Sequence, residues 1–330
     1  MKLIIQIPCF NEEKTLPVTM RDIPKRIDGI DEIEVLIIDD GSTDRTVEVA
    51  RNLGVHHIVR LTKNKGLAEA FMAGINAALS LGADIIVNTD ADNQYAGSDI
   101  ARLVKPILEG KADIVIGNRQ IDKIGHFSTA KKLLQKLGSW VVRQVSNTDI
   151  PDTTSGFRAM NREAALRLNV LSRFTYTLET IIQAGKKNLA VTHIPVHTNE
   201  KLRESRLFSS IPTYIKRSIG TIFRIYTIYE PLKMFMIIGG TIFSLGLFIS
   251  FRFLYFYLTG HVSGHIQSLL LATVLFIIGF QTMVMGLMAD LIGSNRSLIE
   301  NTLYRVKKME HMGNSEESCE KNLERKDTGE

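Results

Sequence analysis

Two apolar runs beyond Pro231, Leu232 to Leu258 and Ser268 to Ile292, constrain the fold of this chain more than any other feature. Each is roughly 25 residues long, and about 20 are enough for a helix to cross a bilayer. The sequence therefore predicts two membrane-spanning helices. Arg252 interrupts the first run close to its end, where the stem of an arginine can lie along apolar surface while its head reaches the headgroups. The connection from Thr259 to Gln267 carries no Lys or Arg. Lys216, Arg217 and Arg224 precede the first run, Lys233 lies at its very start, and Arg296, Arg305, Lys307 and Lys308 follow the second. By the positive-inside rule both termini are expected in the cytosol, with the chain in the cell membrane as a two-span protein.

Ahead of the first run, Ile211, Ile215, Ile219, Ile222 and Tyr226 recur at helical spacing, with Lys216, Arg217 and Arg224 among them. This predicts an amphipathic helix lying in the membrane interface, the alternative being a helix packed on a soluble domain. The expected organisation is a soluble domain over 1–207, the interfacial helix over 208–230, two spans within 231–294, and a basic and then disordered tail over 295–330.

The net charge of +5 does not point to nucleic acid. Basic residues form no single arm and do not alternate with stacking aromatics. Six Lys/Arg between 201 and 224, against three Glu between 200 and 230, suit an anionic membrane surface instead. The two cysteines, Cys9 and Cys319, form neither a CxxC pair nor a disulfide framework, which fits a reducing compartment.

From residue 1 to about 200 short β-branched runs alternate with longer amphipathic ones. Strands are expected at Lys2–Ile7, Glu34–Asp39, His57–Leu61, Asp84–Asn88, Asp113–Ile116 and Ala190–Val196. Such alternation predicts an α/β domain with a mostly parallel sheet and helices on both faces. Ligands of these sheets bind beyond the carboxyl ends of the strands. The segments found there are Pro8-Cys9-Phe10-Asn11-Glu12-Glu13, Asp39-Asp40-Gly41-Ser42, Asp90-Ala91-Asp92-Asn93-Gln94 and Gly117-Asn118-Arg119. Four polar loops should converge on one edge.

Asp90-Ala91-Asp92 follows a strand, so two alternate carboxylates can turn toward one point. Oxygen donors of this kind suit Mg²⁺ or Mn²⁺, with Gln94 close by. Acid pairs also occur on solvated loops and helix starts, so the triplet by itself is a weak signal. Asp39 and Asp40 exceed what helix capping needs, and a carboxylate there could accept from a base N–H or a ribose hydroxyl. Asp152 either lies near the reacting centre or caps a turn after Pro151.

Taken in order, Pro8-Cys9-Phe10-Asn11-Glu12-Glu13, Asp39-Asp40-Gly41-Ser42, Asn64-Lys65-Gly66, Asp90-Ala91-Asp92, Gly117-Asn118-Arg119 and Ser155-Gly156-Phe157-Arg158 resemble the family-2 glycosyltransferases, and in particular their polyprenyl-phosphate branch. The resemblance covers residues 1 to about 210, and the C-terminal hairpin resembles the anchor many members carry. It implies a GT-A, Rossmann-like fold. It also implies a nucleoside site of Pro8, Phe10, Glu12, Ile38, Asp39 and Asp40. Asp90, Ala91, Asp92 and Gln94 would lie at the metal and diphosphate, with Arg119 on the phosphates and Asp92 and Asp152 at the reaction centre. Arg203-Glu204-Ser205-Arg206-Leu207 corresponds to a phosphate-contacting segment of the family, in which Arg203, Ser205 and Arg206 are the candidates. Glu200 departs from the mannose-synthase pattern, which weakens the case for GDP-mannose and favours a UDP-sugar.

The implied reaction is inverting transfer of a sugar from a nucleotide sugar to a polyprenyl phosphate, assisted by Mg²⁺ or Mn²⁺. A phosphomonoester acceptor is already largely ionised at neutral pH, so no strong general base is required. Homo-oligomerisation is left open. A processive polysaccharide synthase shares the first acidic motifs, but Trp140 lies in no QxxRW motif. An inactive nucleotide-binding module tethered to a membrane is the non-enzymatic alternative. No GxGxxG turn follows the first strand, which disfavours a nicotinamide enzyme.

Overall fold

A computed structural model describes residues 1–120, 129–170, 176–199, 220, 223–224, 227–259 and 266–327, with side chains except at 129–137 and 312–327. The chain divides into two compact units: Met1–Ile215 with Asn301–Glu330, and Lys216–Glu300.

The first unit is built on a seven-stranded sheet: β1 (Lys2–Cys9), β2 (Glu32–Asp39), β3 (His57–Arg60), β4 (Ile85–Asn88), β5 (Ile114–Asn118), β6 (Arg158–Asn161) and β7 (Val191–Pro195). Their spatial order is β3-β2-β1-β4-β6-β5-β7. β1 runs parallel to β2 and β4, β2 to β3, and β5 to β7, while β6 is antiparallel to both β4 and β5. All six expected strands are present. β6 has no counterpart among them, because its four residues, Arg-Ala-Met-Asn, show neither a β-branched run nor alternation.

β1 and β4 carry near-continuous apolar sequence because both faces of the sheet are covered. The period of two sends Leu3, Ile5, Ile7, Val35, Ile37, Ile85 and Val87 into one core. Ile4, Gln6, Leu36, Ile38, Ile86 and Asn88 are left for the other face. There α3 (Leu67–Ser80) crosses, with Gly74 tight against Gln6 and Ile38. The other helices of this unit are α1 (Leu16–Asp22), α2 (Thr46–Asn52), α4 (Asp99–Leu108), α5 (Thr129–Ser146), α6 (Arg162–Arg167) and α7 (Tyr176–Lys186).

In the second unit α8 (Pro231–Leu258) and the first part of α9 (Ile266–Asp327) contain the two expected spans. Both are long and apolar enough, by length and composition, to cross a membrane. Their pairing is antiparallel: Gly239 lies against Gly279 and Met283, and Gly246 against Ala272 and Phe276, small residues letting the backbones approach. α9 continues through the segment read from sequence as a tail, as far as Asp327. Within the first unit, its Tyr304 donates to Glu163 Oε1 at 2.7 Å and lies under the Arg167 guanidinium. Most of the interfacial stretch 208–230 lies outside the described residues.

At the end of β2, Gly41 has φ +72°, and an added Cβ would stand 2.5 Å from the Lys63 carbonyl carbon. Both the left-handed backbone and the close approach require glycine. Gly41→Ala is therefore expected to destabilise the protein by on the order of 2 kcal/mol, seen as a lowered melting temperature; an unchanged one would contradict this account of the turn.

Candidate active site

Parallel strands that begin together also end together, and here the ends of β1 and β2 are level, with Cys9 opposite Asp39. β6 runs the other way, so it starts at this same edge, with Arg158 opposite Asn88. The loop before β6 is thereby brought beside the end of β4.

The loops are fastened to one another. Asn11 N–H donates to Ser42 Oγ at 2.9 Å, Glu12 N–H to Thr46 Oγ1 at 2.8 Å, and Thr43 N–H to Asn11 Oδ1 at 2.8 Å. Asp40 uses both carboxylate oxygens on the loop after β3, accepting from Lys65 N–H at 2.7 Å and Gly66 N–H at 2.9 Å. Asp39 Oδ1 accepts from Ser42 N–H at 3.0 Å. Its buried Oδ2 has no hydrogen-bond partner among the described residues, and Arg60 Nε at 3.3 Å makes only an ion-pair contact. Asp40 thus stabilises the loop, while Asp39 retains an acceptor.

Of the other residues expected at the nucleoside, Pro8 is buried at the end of β1 and Phe10 is exposed just after it. Glu12 is buried and accepts from Thr15 Oγ1 at 2.5 Å. Ile38 is wholly buried against Gly74, so it can present only main chain to a ligand.

Asp90, Asp92 and Gln94 are half-buried just beyond β4. The buried Ala91 accepts from Thr19 Oγ1 of α1 at 3.0 Å, which fixes the loop from below. Asp92 Oδ1 accepts from Gln94 N–H at 3.2 Å. Asn199 N–H reaches Gln94 O at 3.0 Å, and its Nδ2 reaches Asn93 O at 3.1 Å. No group of three or more His, Cys, Asp or Glu suited to a metal occurs among the described residues. Two partly open carboxylates and a side-chain amide still form an oxygen donor set that fits Mg²⁺ or Mn²⁺, cations that complete their coordination with water and substrate phosphate.

Arg119 and Asp152 face each other in a buried bidentate pair. Nε donates to Oδ2 at 2.7 Å, and Nη2 donates to Oδ1 at 2.9 Å and to Thr154 Oγ1 at 2.7 Å. Burial is the largest influence on Asp152 and acts to raise its pKa, but the charge and hydrogen bonds of Arg119 together hold the carboxyl below its ordinary range. For Arg119, burial is again the largest influence and opposes the charge, yet Tyr95 and Asp152 raise its pKa further. Nη1 of Arg119 makes no hydrogen bond among the described residues, so that edge can meet an anion. Arg203, Ser205 and Arg206 lie outside the described residues.

Several residues around the acids were not singled out from sequence. Asn88 donates to Gly156 O at 2.9 Å and to Tyr176 Oη at 3.1 Å, and Gln6 donates to Asn88. Burial, with the charge of Asp90 adding to it, pushes the Tyr176 phenol up. Gln6 and Asn88 were visible as polar interruptions of apolar strands; Tyr176 had no such signal.

Residues 4–168 match the family described as Glycosyl transferase family 2. The chain belongs to glycosyl transferase family 2. As a family-2 member it is a glycosyltransferase. It is 28% identical to the undecaprenyl-phosphate mannosyltransferase of Micrococcus luteus, over 64% of this chain and 89% of that protein. It is also 28% identical to glycosyltransferase AglJ of Haloferax volcanii, over 93% of this chain and 97% of that protein. The glucosyl-3-phosphoglycerate synthase of Mycobacterium tuberculosis, solved with Mn²⁺, UDP and phosphoglyceric acid, shares its fold. That likeness has a TM-score of 0.53 at 17% identity and covers 68% of this chain and 77% of that one. The sheet domain of this family-2 enzyme is thus a GT-A domain.

Removing one charge from a buried ion pair leaves the other uncompensated, so Asp152→Asn is expected to lower stability by about 3 kcal/mol. A carboxyl held low in the folded state contributes stability that is complete above its unfolded value and is lost as pH falls through the folded one. The melting-temperature gap between parent and variant should therefore be constant above about pH 4 and close below it. A gap that closes between neutral pH and pH 5 would contradict the pairing.

Proposed function

We propose that this glycosyltransferase moves a sugar from a nucleotide sugar to a polyprenyl phosphate at the cytosolic face of a membrane. The observation that carries the reading is the joint presence of Asp39 and Asp90-Ala91-Asp92 on one sheet edge in a chain with two helices apolar enough to cross a bilayer. The likeness to a protein named for an undecaprenyl-phosphate acceptor supports the same class of acceptor here. The lack of Lys and Arg in the connection between the spans supports the cytosolic orientation. Glu200 favours a UDP-sugar over GDP-mannose as donor.

In this reading Pro8, Phe10, Glu12 and Asp39 line the nucleoside site, with Ile38 contributing main chain and Asp40 holding the loop of Lys65 and Gly66. Asp90, Asp92 and Gln94 would hold a divalent cation. Bound there, Mg²⁺ or Mn²⁺ would neutralise charge developing on the diphosphate leaving group. Arg119 turns its open edge to phosphate, and Arg203, Ser205 and Arg206 complete that set. Asp152, engaged on both oxygens by Arg119, serves by aiming that guanidinium rather than by accepting a proton. The acceptor phosphate arrives ionised, so positioning and charge neutralisation carry the reaction. Displacement at the anomeric carbon is single and inverting.

The full chain in detergent micelles with Mn²⁺, polyprenyl phosphate and a panel of UDP- and GDP-sugars is expected to give a lipid-linked sugar of inverted configuration, identified by mass spectrometry and NMR. Asp92→Ala should lower kcat/KM by about 100-fold or more. The reading fails if no donor yields a lipid-linked product.

A further inference from the structure

Asn199 is tied to the Asp92 carboxylate through a single peptide unit. Its Nδ2 donates to Asn93 O at 3.1 Å, and the N–H of that same peptide, carried by Gln94, donates to Asp92 Oδ1 at 3.2 Å. A peptide is planar and trans, with its C=O and N–H pointing opposite ways, so whatever fixes the oxygen also fixes the direction of the N–H. A hydrogen bond accepted at the oxygen further polarises the unit and strengthens what its nitrogen gives. Asn199 N–H donates in addition to Gln94 O at 3.0 Å, so the peptides on both sides of Gln94 are held by one residue. The hold falls beside a constrained turn, because Asn93 has φ +54°. A non-glycine residue keeps that left-handed conformation where its surroundings enforce it.

Asn199 is itself anchored from other elements. β7 ends at Pro195, and Val196 N–H donates to Asn118 O, at the end of β5, at 3.0 Å. His197 N–H donates to Oδ2 of the buried Asp99, the first residue of α4, at 2.6 Å. Tyr95 and Thr198 form an isolated antiparallel bridge, and Ala96 N–H donates to His197 O at 3.3 Å. The chain leaving β7 therefore runs antiparallel to the acid loop, and the sheet and α4 set where Asn199 meets it.

We propose that Asn199 is a positioning residue for Asp92 and Gln94, setting through the peptide between Asn93 and Gln94 how the Asp92 carboxylate is offered to a divalent cation. The inference rests on the assignment of Asp92 and Gln94 to such a cation made above. Partners that orient ligating groups from outside typically govern metal affinity by about 10–100-fold. Asn199→Ala removes the side-chain donor and keeps the main-chain bond to Gln94. Asn199→Leu removes the donor while nearly preserving the side chain's shape. Neither substitution changes the charge near the acids.

Mn²⁺ alone is titrated into the full-length protein in detergent micelles, free Mn²⁺ being read by electron paramagnetic resonance, beside metal-free melting curves. Asn199→Ala is expected to raise the Mn²⁺ dissociation constant about 10-fold, with a melting temperature close to the parent's, since the residue is only half-buried. A merely structural role would lower the melting temperature and leave the affinity as it was. Parent-like Mn²⁺ affinity in Asn199→Ala overturns the inference while leaving the metal assignment intact, provided Asp92→Ala loses binding. If the parent takes up no Mn²⁺, or Asp92→Ala binds it as the parent does, the metal assignment fails and this inference fails with it. Should Asn199→Ala melt below the titration temperature, Asn199→Leu decides instead, and parent-like affinity there is again the overturning result.

Discussion

The parallel pairing of β1 with β2 on one side and β4 on the other is what the rest of the first unit depends on. It brings the carboxyl ends of strands carrying Cys9, Asp39 and Asn88 to one edge, so chemistry encoded far apart in sequence is gathered without any long-range signal other than register. A one-residue slip of β4 would exchange its faces, turning Asn88 from the α3 side to the apolar core. The buried hydrogen bond between Gln6 and Asn88 opposes such a slip, because breaking it would strand polar groups in a dry interior.

On that edge the loops are held mainly by carboxylates and hydroxyls accepting main-chain N–H groups, which gives rigidity without apolar packing. Asp40 spends both oxygens in this way and Asp152 both of its own on Arg119. What is left to face a ligand is a smaller set: the Asp39 oxygen that accepts no hydrogen bond and meets only Arg60, the half-buried acids after β4 and the remaining edge of Arg119. Such a set suits a reaction whose nucleophile comes already ionised, where fixed charges and dipoles need only be in place beforehand.

The strands, both apolar helices and the edge where the acids lie were legible in the sequence, because period, run length and turn residues are local properties. β6 was not, since Arg158 to Asn161 becomes a strand only by pairing with β4 and β5. Nor was the engagement of Asp152 by Arg119, because 33 residues separate the two and neither position betrays its partner. The importance of Gly156 was hidden for the same reason. Its motif was visible, but the oxygens that crowd it come from Asp90, in the loop after β4, and from Tyr176 of α7.

Hydrogen exchange of main-chain amides, with and without a nucleoside diphosphate and Mn²⁺, tests the central claim most directly. The account predicts slowed exchange on addition of UDP or GDP in peptides carrying Phe10 to Glu12, Asp39 to Ser42, Asp90 to Gln94 and Arg119, and little change in α2 or α6. Protection absent from all of these loops, or confined to elements away from that edge, would contradict it.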